Sequence, residues 1–134
     1  MRLPLVVLLT AAVAGCAGAT EPLRAGALYS VDSGEGYFQV AKVLVVDSTG
    51  VHVRLYKNRF KTRPDKVDFE KLSLGSIDNP DGFGMGHLPL THEAFRAWEP
   101  VFIVESPITA DELEGYRQWQ AAKGGYFGDP QHDD

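Results

Sequence analysis

The chain has 134 residues, with 13 Lys and Arg against 18 Asp and Glu, a formal charge of −5 at pH 7. That length suits one domain with a real core, and the acidic balance argues against general binding of polyanions such as nucleic acid. The single cysteine excludes an intramolecular disulfide, and no period marks a solenoid repeat.

Residues 1–16 read MRLPLVVLLTAAVAGC. A basic start precedes an apolar run from Leu3 to Ala14, shorter than the ~20 residues a membrane-spanning helix needs. Charged start, apolar middle and small residues before Cys16 form the layout of a secretory signal. Val13-Ala14-Gly15-Cys16 resembles the lipobox of bacterial lipoproteins. The resemblance implies cleavage before Cys16, a diacylglyceryl group on its sulfur and acylation of the new amine. The chain is then expected to be exported and lipid-anchored to a bacterial membrane, with the periplasmic side of the outer membrane as the expected place. Several acyl chains hold firmly, since each buried methylene contributes ~0.8 kcal/mol. The resemblance covers the leader alone and implies nothing about the folded domain.

Loss of residues 1–15 leaves 119 residues and, with Arg2 gone, a net charge of −6. Residues 16–26, small and polar after Cys16, are expected to tether the lipid to the domain. Residues 27–123 read as one β-rich domain ending in a helix, and 124–134 ("GGYFGDPQHDD") as a loose acidic tail.

Within the domain, "ALYSV" reads as a short strand and "SGEG" as the turn after it. "SGEGY" (33–37) also looks like the S-G-x-x-Y element of periplasmic lysozyme inhibitors, which would give Ser33 the role of entering the enzyme's cleft. "YFQVAKVLVV" and "VHVRLY" are rich in β-branched and aromatic residues and flank "DSTG", where Gly50 is expected to take a positive φ and close a hairpin. The unbroken apolar run Val43 to Val46 predicts a strand covered on both faces or bulged. "KLSL" and "PVFIVE" are further expected strands.

Two helical pieces follow. "LTHEAFRAW" offers Thr91 as N-cap, with Phe95 and Trp98 on one face. In "ITADELEGYRQWQAAKGG", Thr109 and Glu112 make a capping-box pattern and Gly124 supplies the stop. Leu113, Tyr116 and Trp119 are expected to pack inward. The fold class is mainly β with C-terminal α: a small SH3-like half-barrel or a twisted antiparallel sheet, plus one or two short helices.

The run "VHVRLYKNRFKTRP" (51–64) concentrates basic side chains. Val51, Val53 and Leu55 share one strand face, while His52, Arg54 and Tyr56 share the other. Arg54, Lys57, Arg59, Lys61 and Arg63 then form either a solvated face, which also discourages stray strand pairing, or a site for an envelope protein or an anionic wall polymer. Nucleic acid is not an expected partner of an exported chain.

"GFGMGHLPL" has three glycines, but no Lys-Ser/Thr and no helix follow, so a phosphate loop is not supported. It reads as a surface loop with Phe83, Met85 and His87 as contacts. His87 and His92 are five apart with Pro89 between them, which fails the spacing of a helical zinc pair. "DNPDG" (78–82) lacks the ligand pattern of a calcium loop. No metal, cofactor or nucleophile–base arrangement is therefore expected. The chain reads as a non-catalytic binding module, of the inhibitor or immunity type. The alternative is an envelope-structural or peptidoglycan-binding lipoprotein, since SH3-like modules often recognise peptidoglycan.

Overall fold

The computed structural model describes residues 22–75 and 84–128. Five strands form one antiparallel sheet: β1 (Ala27–Asp32), β2 (Phe38–Val46), β3 (Gly50–Leu55), β4 (Met85–Thr91) and β5 (Val101–Glu105). The spatial order is β4-β3-β2-β1-β5, and the sheet stays open rather than closing into a barrel. The mainly-β class with a C-terminal helix is as the sequence predicts.

Local chemistry sets the turns and the register. Asp47 Oδ1 accepts from the amides of Thr49 (2.8 Å) and Gly50 (2.9 Å), so its own side chain closes the β2–β3 hairpin. Gly50 does not take a positive φ. A Cβ there would instead run into the Leu90 carbonyl and the ring of Tyr126, so the glycine serves close packing. The apolar run in β2 is bulged between Val43 and Val45, and Leu44 is buried.

One sheet face carries Tyr29, Val31, Val43, Val51, Val53, Leu88 and Leu90. Helix α1 (His92–Arg96) covers it, with Thr91 Oγ1 accepting from Ala94 N at 3.1 Å as the N-cap. Phe95 is fully buried, edge-on to Tyr29 with centroids 6.1 Å apart. Complete burial of such a ring contributes roughly 1.5–3 kcal/mol.

The other face carries Leu28, Val40 and Tyr56, covered by Phe60, Val67, Leu72 and Leu74 from the segment after β3. A 3₁₀ turn (Asp111–Leu113) leads into helix α2 (Glu114–Ala121), which lays Tyr116 and Trp119 on His52. The capping box forms reciprocally: Thr109 N donates to Glu112 Oε1 (2.9 Å) and Glu112 N to Thr109 Oγ1 (3.2 Å). At the other end Lys123, at φ 55°, is the left-handed residue; its amide donates to Gln120 O, and that of Gly124 to Trp119 O. Gly124 is small because the Trp119 ring lies against it.

Four further expectations need correction. Residues 71–74 ("KLSL") form a loop whose Ser73 and Leu74 carbonyls accept from Lys57 N and Gly84 N. Met85 and His87, read as loop contacts, lie on strand β4. Pro89 is tolerated there because β4 is an edge strand. Its carbonyl turns outward to accept from Phe127 N at 3.0 Å, the same side on which its missing N–H would have pointed. Residues 124–128 are not loose: Tyr126 is buried, and Thr91 N donates to Phe127 O. At the other end of the domain, Leu23 in the expected tether packs on the core. The leader with Cys16, Phe83, all of "DNPDG" and residues 129–134 lie outside the described residues.

Candidate functional site

A cleft of about 620 Å³ opens where the N-terminal segment crosses the β1–β5 edge. Its lining includes Pro22, Leu23 and Arg24 from the N-terminal segment and Arg96, Glu99 and Pro100 from the end of α1 and the residues after it. Tyr29, Val101 and Phe102 line it as well. Val101 and Phe102 are 49% and 39% exposed, unusual for apolar residues of a strand. Among the described residues no strand pairs with the outer edge of β5. The opposite edge, β4, is closed by Pro89 and by the Phe127 backbone.

Two of the cleft's arginines are held in place by their own bonds. Arg24 pairs with Glu105 at 2.8 Å and lies 4.4 Å above the Phe102 ring. Arg63 Nη1 donates to Ser30 O, Ser30 Oγ and Glu99 O at 2.9, 2.9 and 3.0 Å, and its guanidinium sits over Phe38. These contacts pre-order the guanidinium planes, which limits the rotamer entropy lost when a partner is bound.

The basic run therefore does not act as one surface. Only Arg63 of its members lines the cleft. Arg54 is half-buried, with Nε 3.4 Å from Gly86 O. Lys57 is half-buried, Arg59 packs over the Tyr37 ring, and Lys61 is exposed. The face holding His52, Arg54 and Tyr56 is not a solvated one, because α2 and the 56–75 segment cover it; His52 is wholly buried. Ser33 lies in the β1–β2 turn, where its hydroxyl accepts from Glu35 N at 3.0 Å.

That covered face holds two polar assemblies. Lys42, 3% exposed on β2, donates to Pro107 O (2.7 Å) and to both Glu112 oxygens (3.0 and 3.1 Å). Burial pushes the Glu112 carboxyl up, but the Thr109 amide, Lys42 and Arg54 outweigh it and hold it below the ordinary value. The second assembly is a chain of four side chains. His87 Nε2 lies 2.8 Å from His52 Nδ1, His52 Nε2 lies 2.9 Å from Tyr126 Oη, and the Tyr126 hydroxyl donates to Asp47 Oδ2. His52 and His87 stack with centroids 5.1 Å apart under Tyr116 and Trp119. His92 is elsewhere, its Nε2 donating to the Asp47 carbonyl at 2.7 Å. Among the described residues no cluster of His, Cys, Asp and Glu has metal-binding geometry.

Strand alternation alone places His52 beside Arg54 and Tyr56, but it does not reveal what covers them. The capping-box pattern located Glu112 without showing its second bond to Lys42. Arg24, Phe102 and Tyr126 stand in no motif, and only tertiary packing gives them roles. The chain matches no protein-family model, no curated protein and no solved structure with which it was compared.

Proposed function

We propose that this chain is an exported, lipid-anchored binding module of the inhibitor or immunity type. It holds an envelope protein through the β5-edge cleft and performs no catalysis. The anchor rests on the lipobox-like Val13-Ala14-Gly15-Cys16, and the expected place is the periplasmic side of the outer membrane. The observation that carries the binding reading is the cleft itself: exposed Val101 and Phe102 beside pre-ordered Arg24 and Arg63, at a sheet edge with which no strand pairs among the described residues. Such an edge offers backbone hydrogen bonds to an extended segment, while apolar and cationic neighbours select its side chains.

A photo-cross-linking residue at position 102, with a second at position 61 on the exposed part of the basic run, tests this in intact cells. One dominant protein captured from position 102 supports the reading, and capture from position 61 alone moves the contact to the basic run. Recovery of wall fragments only would replace it with the envelope-structural, peptidoglycan-binding alternative. Mass spectrometry of Cys16 checks the anchor separately.

A further inference from the structure

The four-residue chain on the covered face has a definite direction. A carboxylate accepts only, so the Tyr126 proton points at Asp47. The Tyr126 oxygen then accepts from His52 Nε2–H, which leaves His52 Nδ1 as a bare acceptor. His87 must therefore donate its Nε2–H to that nitrogen. Every proton is assigned by propagation from Asp47: His52 Nδ1 and His87 Nδ1 carry none, and of these two His52 Nδ1 is already taken up by the bond from His87.

His87 Nδ1 faces the first turn of α2. A Cβ on Gly115 would fall 2.5 Å from His87 Cβ and 3.7 Å from Nδ1, so the first turn of the helix packs closely against this side chain. The amino end of a helix is the positive end of its dipole and disfavours a cation there. The same histidine pair holds down the rest of the C-terminal segment. Tyr116 and Trp119 pack edge-on to His52 at 4.7 and 4.4 Å, Tyr126 bonds it, and Trp119 Nε1 donates to Gly125 O at 2.9 Å.

We propose that the His87–His52–Tyr126–Asp47 chain is a proton-operated latch that closes residues 111–128 onto the sheet at neutral pH and releases them in acid. The added proton enters at His87 Nδ1, the only vacant nitrogen of the pair. It places a half-buried cation between a second imidazole and a helix amino end. Asp47, 3.6 Å from His52 Nε2, favours a charged imidazole, while Tyr116 and Trp119 pack on the pair in T-shaped geometry. Lys42 and Arg54 lie on the same sheet face, and both act on Glu112, which Lys42 engages directly. Burial is the largest influence on both rings, and the neighbouring His52 adds to it at His87, whose pKa falls to about 4; burial outweighs Asp47 at His52. An exported domain meets the pH of its surroundings, so such a latch reports external acid.

Hydrogen exchange of the full chain, corrected for the intrinsic pH dependence of exchange, tests this at about pH 7 and about pH 4.5. Protection of residues 111–128 is expected to fall about ten-fold relative to β1 and β2, the scale of a single pKa unit, and to return on neutralisation. His87→Gln keeps a donor for His52 Nδ1 but cannot titrate, so the fall in its protection with acid should be clearly smaller, with only His52 left to titrate. Unchanged relative protection in the parent chain, or the same acid transition in His87→Gln, overturns the proposal. If His87→Gln does not fold, nitrogen NMR of the parent imidazoles decides. Titration of His87 that moves in step with the 111–128 amide signals supports the latch, and titration that leaves them still refutes it.

Discussion

Lys42 shows how much a single buried charge is asked to do. Its ammonium is almost sealed from water and is neutralised by Glu112, whose side chain is 12% exposed. Removing one member of such a pair is costly because the other stays buried without its counter-charge, typically by about 3–5 kcal/mol. Lys42→Met is therefore expected to destabilise the fold by about 3 kcal/mol, read as a lower urea midpoint with an unchanged slope. Adding Glu112→Leu should recover most of that loss. It will not recover the capping-box bond to Thr109, worth about 1 kcal/mol. A double variant no better than Lys42→Met would mean that the bond to the Pro107 carbonyl, not the ion pair, holds the lysine.

At the level of elements, Gly115 sets two physical effects against each other. In an exposed helix Gly→Ala stabilises by about 1 kcal/mol. Here the added methyl meets His87, on a rigid strand rather than at the end of a flexible side chain. Overpacking of this kind costs about 1–3 kcal/mol. Gly115→Ala should thus lower stability and lift α2 from the sheet, with a red shift in Trp119 emission; an increase in stability would show that the helix can slide.

The same elements show what could be read in advance. β1, β2, β3 and β5 announced themselves by β-branched and aromatic runs, and the helix starts by Thr91 and Thr109, because these signals are local. β4 did not, because Gly84, Gly86 and Pro89 are turn residues in most settings. Here Gly84 and Gly86 sit against Leu55 and Arg54, and Pro89 rests on an edge. The basic run misled for a related reason. Alternation sorts residues onto faces, but whether a face is wet depends on a helix sixty residues further along the chain. The cleft was illegible altogether, since Arg24, Arg63 and Phe102 meet only through the β1–β5 pairing.

Across the whole molecule, the two sheet edges are treated unequally, and that has a physical consequence. An open edge with exposed apolar side chains is a template for another strand. Phe102→Lys should weaken capture of a partner at the cleft and any self-association of the concentrated protein, while leaving the urea midpoint close to that of the parent, since Phe102 is already 39% exposed. Loss of the fold in Phe102→Lys would place this ring in the core's support rather than at a contact.

The charged interior also dictates how stability follows pH. His52 and His87 bind protons less readily when folded than when unfolded, where the ordinary value is 6.5. Between about pH 6.5 and about pH 4 the unfolded chain therefore holds more protons, and stability must decline as pH falls through that window. Asp47 and Glu112 have folded values below their ordinary 3.8 and 4.5, so their contribution is present above those values and disappears at more acid pH. Tyr126 acts in the opposite sense. Burial and Asp47 raise its pKa above 10.0, so its contribution is complete below that pH and is lost as alkali deprotonates the unfolded chain. Urea midpoints are accordingly expected to be level from about pH 7 to about pH 9, and to fall in two acid steps, the first belonging to the imidazoles. His87→Gln should shrink the first step to the part that belongs to His52 and spare the second. If midpoints stay constant from pH 6.5 down to pH 5, the imidazoles do not set the acid limit, and the carboxylates of Asp47 and Glu112 do.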